Sequence, residues 1–260
     1  MPKVRLDTLL VERQLVSTQS KAQAFIMSGI VSVDGQIVSK AGTLVVPTVG
    51  VEIKQDCPYV SRGGLKLESA HSALQFPIVG RVAMDIGIST GGFSDFLLQH
   101  GARHIIGVDV SYGFLAHSLR HDLRVTLLEK TNARYLTENQ MIQMLEKNGQ
   151  NVSLVSQIDL IVMDVSFISL TKVLPAIRSI VSGASDWIVL LKPQFEATRA
   201  EVSKGNGVIR DPVVHEAIVK RVCEQVPMLG FEVYRQCASS VLGPKGNQEI
   251  FLWLKPRSNS

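Results

Sequence analysis

The segment Asp85-Ile86-Gly87-Ile88-Ser89-Thr90-Gly91-Gly92-Phe93-Ser94-Asp95 joins glycines, hydroxyls and acids in one short stretch. Residues 82–84 before it read as a buried strand, and residues 96–98 after it continue as a helix. A strand, a glycine-rich turn and a helix bring backbone N–H groups close to a cofactor. Glycine is wanted where a Cβ would block that approach. The spacing is neither the dinucleotide G-x-G-x-x-G nor the phosphate-binding G-x-x-x-x-G-K-[ST]. Asp109 closes a second strand at 104–108, where an acid can accept hydrogen bonds from both hydroxyls of a ribose. A glycine turn with no phosphate signature, followed by a ribose-reading acid, suits S-adenosylmethionine better than NAD. The candidate cofactor contacts are Asp85, Gly87, Ser89, Thr90, Gly91, Gly92, Phe93 and Asp109. A tight turn in some other α/β protein is the plain alternative.

Further charged residues sit beside strand ends or helix starts, where ligands bind in such sheets: Lys66, Asp164, Lys192 and Glu249. Each has an ordinary explanation. A lysine after an apolar strand reaches solvent, and an aspartate there caps the next helix. In the order Lys-Asp-Lys-Glu they resemble the catalytic tetrad of ribose 2′-O-methyltransferases of the FtsJ type. The resemblance implies catalytic roles for all of them. A ribose hydroxyl is a poor nucleophile at neutral pH and must lose its proton as it attacks a sulfonium methyl. An amine in a partly buried, positively charged setting can act as the base. Lys192, with Lys66 near it, fits that role, and Asp164 and Glu249 would orient the lysines and balance their charge.

These residues need a scaffold that collects them at one edge. Strand patterns recur at 82–84, 104–108, 125–128, 160–163, 187–191, 231–234 and 250–254, with helical patterns between them. Such alternation implies a parallel, doubly wound sheet. The expected fold class is therefore α/β. Seven strands behind a glycine-rich first turn resemble the Rossmann-like, seven-stranded S-adenosylmethionine-dependent methyltransferase fold, which implies an antiparallel last strand, and a small N-terminal α+β domain precedes it. A helix over 65–74 would carry Lys66. The stretch Cys57-Pro58-Tyr59-Val60-Ser61-Arg62-Gly63-Gly64 reads as the boundary, since Pro and paired Gly break regular structure. It divides the chain into domains 1–60 and 61–260.

Upstream, helical patterns cover 5–15 and 20–28, and Gly29 reads as a stop. Residues 30–38 alternate with period two around Asp34-Gly35, a strong hairpin signal, and 49–53 adds a short strand. This module resembles the alpha-L RNA-binding domain through Arg5-Leu6-Asp7, Leu10, Lys21-Ala22, Ile26, Gly29, Val31, Val33-Asp34-Gly35 and Lys40. The resemblance implies RNA contacts by Arg5, Arg13, Lys21 and Lys40, with Arg62 beside the boundary. A solvated basic surface is the alternative. Thr18-Gln19 stands where that family usually has Ser-Arg, so one phosphate contact is missing.

Composition removes other classes. The chain has 260 residues, 45% hydrophobic and 19% charged, enough for a sizeable core and against wholesale disorder. The net charge of +4 permits nucleic acid without requiring it. Cys57, Cys223 and Cys237 form no C-x-x-C pair, which points to a reducing cytoplasm. The charged N-terminus lacks a signal-peptide core, and no apolar run reaches the ~18 residues of a membrane span. No stable membrane association is expected. His117 and His121 share metal-ligand spacing, but no third ligand accompanies them, and no metal is expected.

Nearly end to end, the chain resembles the TlyA/hemolysin A family of ribosomal RNA 2′-O-methyltransferases. Besides the segments above, Thr131-Asn132-Ala133-Arg134, Asp164-Val165-Ser166-Phe167, Lys192-Pro193-Gln194-Phe195-Glu196, Arg210-Asp211-Pro212 and Gly243-Pro244 with Gly246-Asn247 carry the match. The resemblance implies ribose methylation at cytidine, with ribosomal RNA or ribosomal subunits as partner; the oligomeric state stays open. Ser111-Tyr112-Gly113-Phe114 departs from the usual Gly-Tyr-Gly-Gln, and Lys204-Gly205-Asn206-Gly207-Val208 carries an extra residue. A haemolysin, suggested by the family name, and a non-catalytic RNA-binding protein are the competing readings. The absence of a signal peptide or membrane span opposes the first, and retention of the tetrad opposes the second.

Overall fold

A computed structural model describes residues 2–53, 57–181, 184–203 and 205–257; Lys204 of the departing loop lies outside them. The first unit contains β1 (Val4–Arg5), α1 (Leu6–Glu12), α2 (Gln19–Met27), β2 (Val31–Val33), β3 (Gln36–Ile37), β4 (Leu44–Val45) and β5 (Val51–Ile53). β2 pairs antiparallel with β3 and β5. The turn between β2 and β3 places Asp34 at φ 48° and Gly35 at φ 78°. Left-handed backbone at both positions is the hairpin turn whose twist matches the strands. Leu6, Leu9, Leu10, Ala22, Ile26, Val31 and Val45 close a core of their own. The β1–β4 ladder was not expected from the sequence, because two residues carry no periodicity.

The remainder runs α3 (Arg62–Leu74), β6 (Val82–Ile86), α4 (Gly92–Gln99), β7 (His104–Val108), α5 (His117–Arg120), β8 (Val125–Leu128) and α6 (Glu138–Lys147). It continues through β9 (Ile158–Met163), α7 (Leu170–Ile180), β10 (Asp186–Leu191), α8 (Pro193–Glu196), α9 (Arg199–Ser203), α10 (Pro212–Gln225), β11 (Phe231–Ala238) and β12 (Ile250–Pro256). The seven-stranded sheet has the order β11-β12-β10-β9-β6-β7-β8. All pairings are parallel except those of β12, which runs antiparallel to both neighbours. The expected antiparallel last strand is present.

Every residue of β6 and β10 is buried. Strands covered on both faces read as unbroken apolar runs, which is why the sequence announces them. One face packs Met84, Ile86, Ile161 and Met163 against α6 and α7, and the other packs Ala83, Leu160, Val162 and Ile188 against α3 and α4. The chain leaves β6 toward β7 and β8, then returns to β9 on the other side. The crevice at this reversal, at the carboxyl ends of β6 and β9, is where ligands bind in such sheets.

Candidate active site

Each member of the Lys-Asp-Lys-Glu set lies at that edge on a different element. Lys66 lies in the second turn of α3, Asp164 follows β9, Lys192 caps α8 after β10, and Glu249 precedes β12. They form two ion pairs. Lys66 Nζ is 2.5 Å from Glu249 Oε2, and Lys192 Nζ is 2.5 Å from Asp164 Oδ1. Lys192 Nζ also donates to Ser166 Oγ at 2.9 Å. Glu249 is fully buried and both lysines are buried, so the charges are held away from water by their partners. Burial pushes the Asp164 carboxyl up, but the charges of Lys192 and then Lys66 outweigh it and hold the group below its ordinary value. That Lys66 acts on Asp164 shows that the two pairs share one field.

The glycine turn lies beside them and divides into two parts. Gly87 is at φ 86° and Ser89 at φ 49°, and Ser89 is exposed. A Cβ on Gly87 would stand 2.7 Å from the Asp164 carbonyl oxygen, so only glycine lets the turn pass β9 this closely. Ser89 N donates to Asp109 Oδ2 at 2.8 Å, and Ser111 N donates to Asp109 Oδ1 at 2.8 Å. The half-buried Asp109 carboxylate is thus fixed at the tip of β7, next to the rim of the turn. Thr90, Gly91, Gly92 and Phe93 are buried instead. Gly91 packs against Leu115 and Leu119, Gly92 against Ser61, Gly63 and Gly64 at the start of α3, and Phe93 against Phe251. Their side of the turn locks α4 to its neighbours.

Asp85 is fully buried under the turn, with Oδ2 accepting from Ser94 Oγ at 2.7 Å and no donor on Oδ1. Burial, opposed by Ser94 and reinforced by the charges of Asp164 and Asp109, pushes its carboxyl up to about 7. The Asp109 carboxylate at the tip of β7 and the glycine-lined approach beside it suit a ligand with a ribose. The donor set therefore fits S-adenosylmethionine.

The candidate RNA contacts are dispersed and not equivalent. Arg5 pairs with the buried Asp7 at 2.6 Å. Arg13 donates to the carbonyls of Val49 and Pro47 at 2.8 and 2.5 Å. Lys21 and Lys40 are exposed, and Thr18 caps α2 by accepting from Lys21 N. Arg62 is half-buried and reaches the Leu242 carbonyl at 3.5 Å, while its backbone N–H donates to Ser28 O. Sequence reasoning missed Ser166 and Ser94 as partners of the site. Both stand inside motifs it had quoted, but only the fold shows which side chains they meet.

The sequence matches the FtsJ-like methyltransferase family over residues 59–256 and the S4 domain over residues 4–51. It is 39% identical over 259 residues to a 16S/23S rRNA (cytidine-2′-O)-methyltransferase, TlyA, of Mycobacterium tuberculosis, covering 99% of this chain and 91% of that one. It is 37% identical over 246 residues to Hemolysin A of Brachyspira hyodysenteriae, covering 95% and 97%. A solved structure described as a candidate hemolysin of Streptococcus thermophilus superimposes with a TM-score of 0.73 at 34% identity, covering 99% of this chain and 90% of that one.

Proposed function

The chain belongs to the FtsJ-like methyltransferase family, and from that premise we propose that it methylates the ribose 2′-hydroxyl of ribosomal RNA at cytidine, using S-adenosylmethionine. The observation that carries the reading is the pair of buried ion pairs, Lys66–Glu249 and Lys192–Asp164, beside the glycine turn. The cofactor supplies a methyl group activated on a sulfonium. Gly87 and Ser89 would line its approach, and the Asp109 carboxylate would accept hydrogen bonds from its ribose hydroxyls. Lys192 Nζ, after releasing its own proton to solvent, takes the proton from the 2′-oxygen. Asp164 and Ser166 hold that amine in place, and Lys66, anchored by Glu249, keeps a second positive charge nearby. Much of the acceleration comes from holding the hydroxyl in line with the methyl. The N-terminal domain supplies affinity for RNA, and the protein works on ribosomal subunits in the cytoplasm.

The relative in Mycobacterium tuberculosis is named for cytidine 2′-O-methylation of ribosomal RNA, which supports the same substrate here. The decisive experiment maps 2′-O-methylation on ribosomal RNA from a strain lacking this gene. A cytidine that loses its methyl group and regains it with a plasmid copy, but not with a Lys192→Ala copy, is the expected result. Unchanged ribosomal RNA in the deletion strain would overturn the substrate.

A further inference from the structure

Glu196 lies four residues after Lys192 and closes α8. Its Oε1 accepts from the backbone N–H of Leu170 at 2.7 Å, across 26 residues of sequence. Leu170 is the first residue of α7, and the loop before it carries Asp164, Ser166 and Phe167. Phe167 is held at φ 64°, a costly backbone conformation for an aromatic residue. Arg221 of α10 donates to the Glu196 carbonyl at 3.2 Å and pins the end of α8 from the other side.

We propose that Glu196 is a positioning residue: its carboxylate ties the loop after β9 to the helix after β10, and so fixes Asp164 and Ser166 against Lys192. The inference rests on the reading of Lys192 as the base. The two loops are joined at their reacting end by Lys192–Asp164 and Lys192–Ser166. The rings of Phe167 and Phe195, 5.0 Å apart, meet across the same gap, so without Glu196 only the Lys192 contacts and this ring pair would hold the register of the loops. Ser169 caps α7 by accepting from Thr171 N and leaves the Leu170 amide open, so the contact with Glu196 both completes the cap and ties the two loops. Burial raises the Glu196 carboxyl above its ordinary value, against the hydrogen bonds from Ser169 and Leu170.

The test compares Glu196→Met, which keeps volume but removes the acceptor, with Glu196→Gln, which keeps an acceptor oxygen. Full-length proteins are assayed on ribosomal subunits from the deletion strain with labelled S-adenosylmethionine, well below their melting temperatures. Displacement of a reacting group by about 1 Å costs roughly 100-fold. Glu196→Met should therefore lower kcat by about 10- to 100-fold with KM for subunits and cofactor affinity within twofold of wild type. Glu196→Gln should recover most of kcat. Wild-type kcat in Glu196→Met, or equal losses in both variants, would overturn the role. Hydrogen exchange of the wild-type protein tests it without mutation. The Leu170 amide has no intrahelical acceptor, so slow exchange supports the tie and fast exchange refutes it. Lys192→Met, assayed in parallel, separates the two readings. Turnover retained there refutes the base, whereas turnover retained only in Glu196→Met refutes the positioning role.

Discussion

Lys192 is the side chain on which turnover should depend most sharply. It is buried at the open end of β10 and pairs with Asp164, so Lys192→Ala should keep the fold but melt below wild type, and its turnover is read well below that melting temperature. Loss of a general base costs about 10²–10⁴-fold, and that is the expected fall in turnover. Lys192→Arg should fail as badly, since a guanidinium stays protonated at any working pH. An active arginine variant would remove the base role and leave positioning to carry the reaction. Asp85 yields a prediction about stability. Its folded value of about 7 lies above the ordinary 3.8. Its stabilising contribution is therefore fully present below the ordinary value and is lost as pH rises through about 7. Asp85→Asn cannot ionise and should lack that loss. Urea unfolding from pH 4 to 8 should show the variant gaining on wild type, by a few kcal/mol in order of magnitude at the alkaline end. Parallel pH profiles for the two proteins would show that Asp85 is already ionised. The four ion-paired residues were legible in the sequence because Asp164, Lys192 and Glu249 flank strands at the ligand edge and, with Lys66, their order resembles the FtsJ tetrad. Ser166 and Glu196 were not, because their roles depend on partners 26 residues away.

Among the elements, the contact of α3 with α4 governs where Lys66 stands. The two helices meet through Gly63, Gly64 and Gly92, where backbone approaches backbone. A Cβ on Gly92 would collide with Ser61 Oγ and stand 2.8 Å from Gly64 N. Backbone cannot yield as a flexible side chain can, so Gly92→Ala should push α3 away from the sheet. Overpacking of this kind costs about 1–3 kcal/mol. A lowered melting temperature together with reduced turnover is expected, because α3 carries Lys66 to Glu249. A variant with unchanged melting and turnover would show that α3 can shift without cost. The strands of the sheet were readable because burial on both faces imposes apolar runs and glycine-marked ends. The sequence displayed the glycines of this contact but not their partners. Read locally, Gly91 and Gly92 suggested a cofactor cradle; the fold adds that both also pack helices, Gly91 against Leu119 and Gly92 against the start of α3.

For the whole molecule, the N-terminal core is separate from the two clusters that flank the large sheet, and the proposed division of labour follows that split: the S4 domain would grip RNA and the larger domain would hold the cofactor. The Asp-Gly hairpin made the first domain legible, but its basic residues could not be sorted from sequence. Arg13 is committed to the carbonyls of Pro47 and Val49, and Arg5 to Asp7, whereas Lys21 and Lys40 face solvent. The name hemolysin attached to some relatives raises a membrane role, yet no helix among the described residues is long and apolar enough to cross a bilayer. Binding to ribosomal subunits across a salt series separates these assignments. Each phosphate contact contributes about 0.7–0.9 to the slope of log affinity against log salt, the lower figure applying to single strands. Lys21→Ala and Lys40→Ala should each flatten the slope by about that amount and leave the melting temperature unchanged. Arg13→Ala should do the reverse: it orphans the carbonyls of Pro47 and Val49, lowers the stability of the N-terminal domain, and leaves the slope of the folded protein intact. If Arg13→Ala flattened the slope while both lysine variants kept it, the grip on RNA would run through the arginine, and the exposed lysines would be solvated surface.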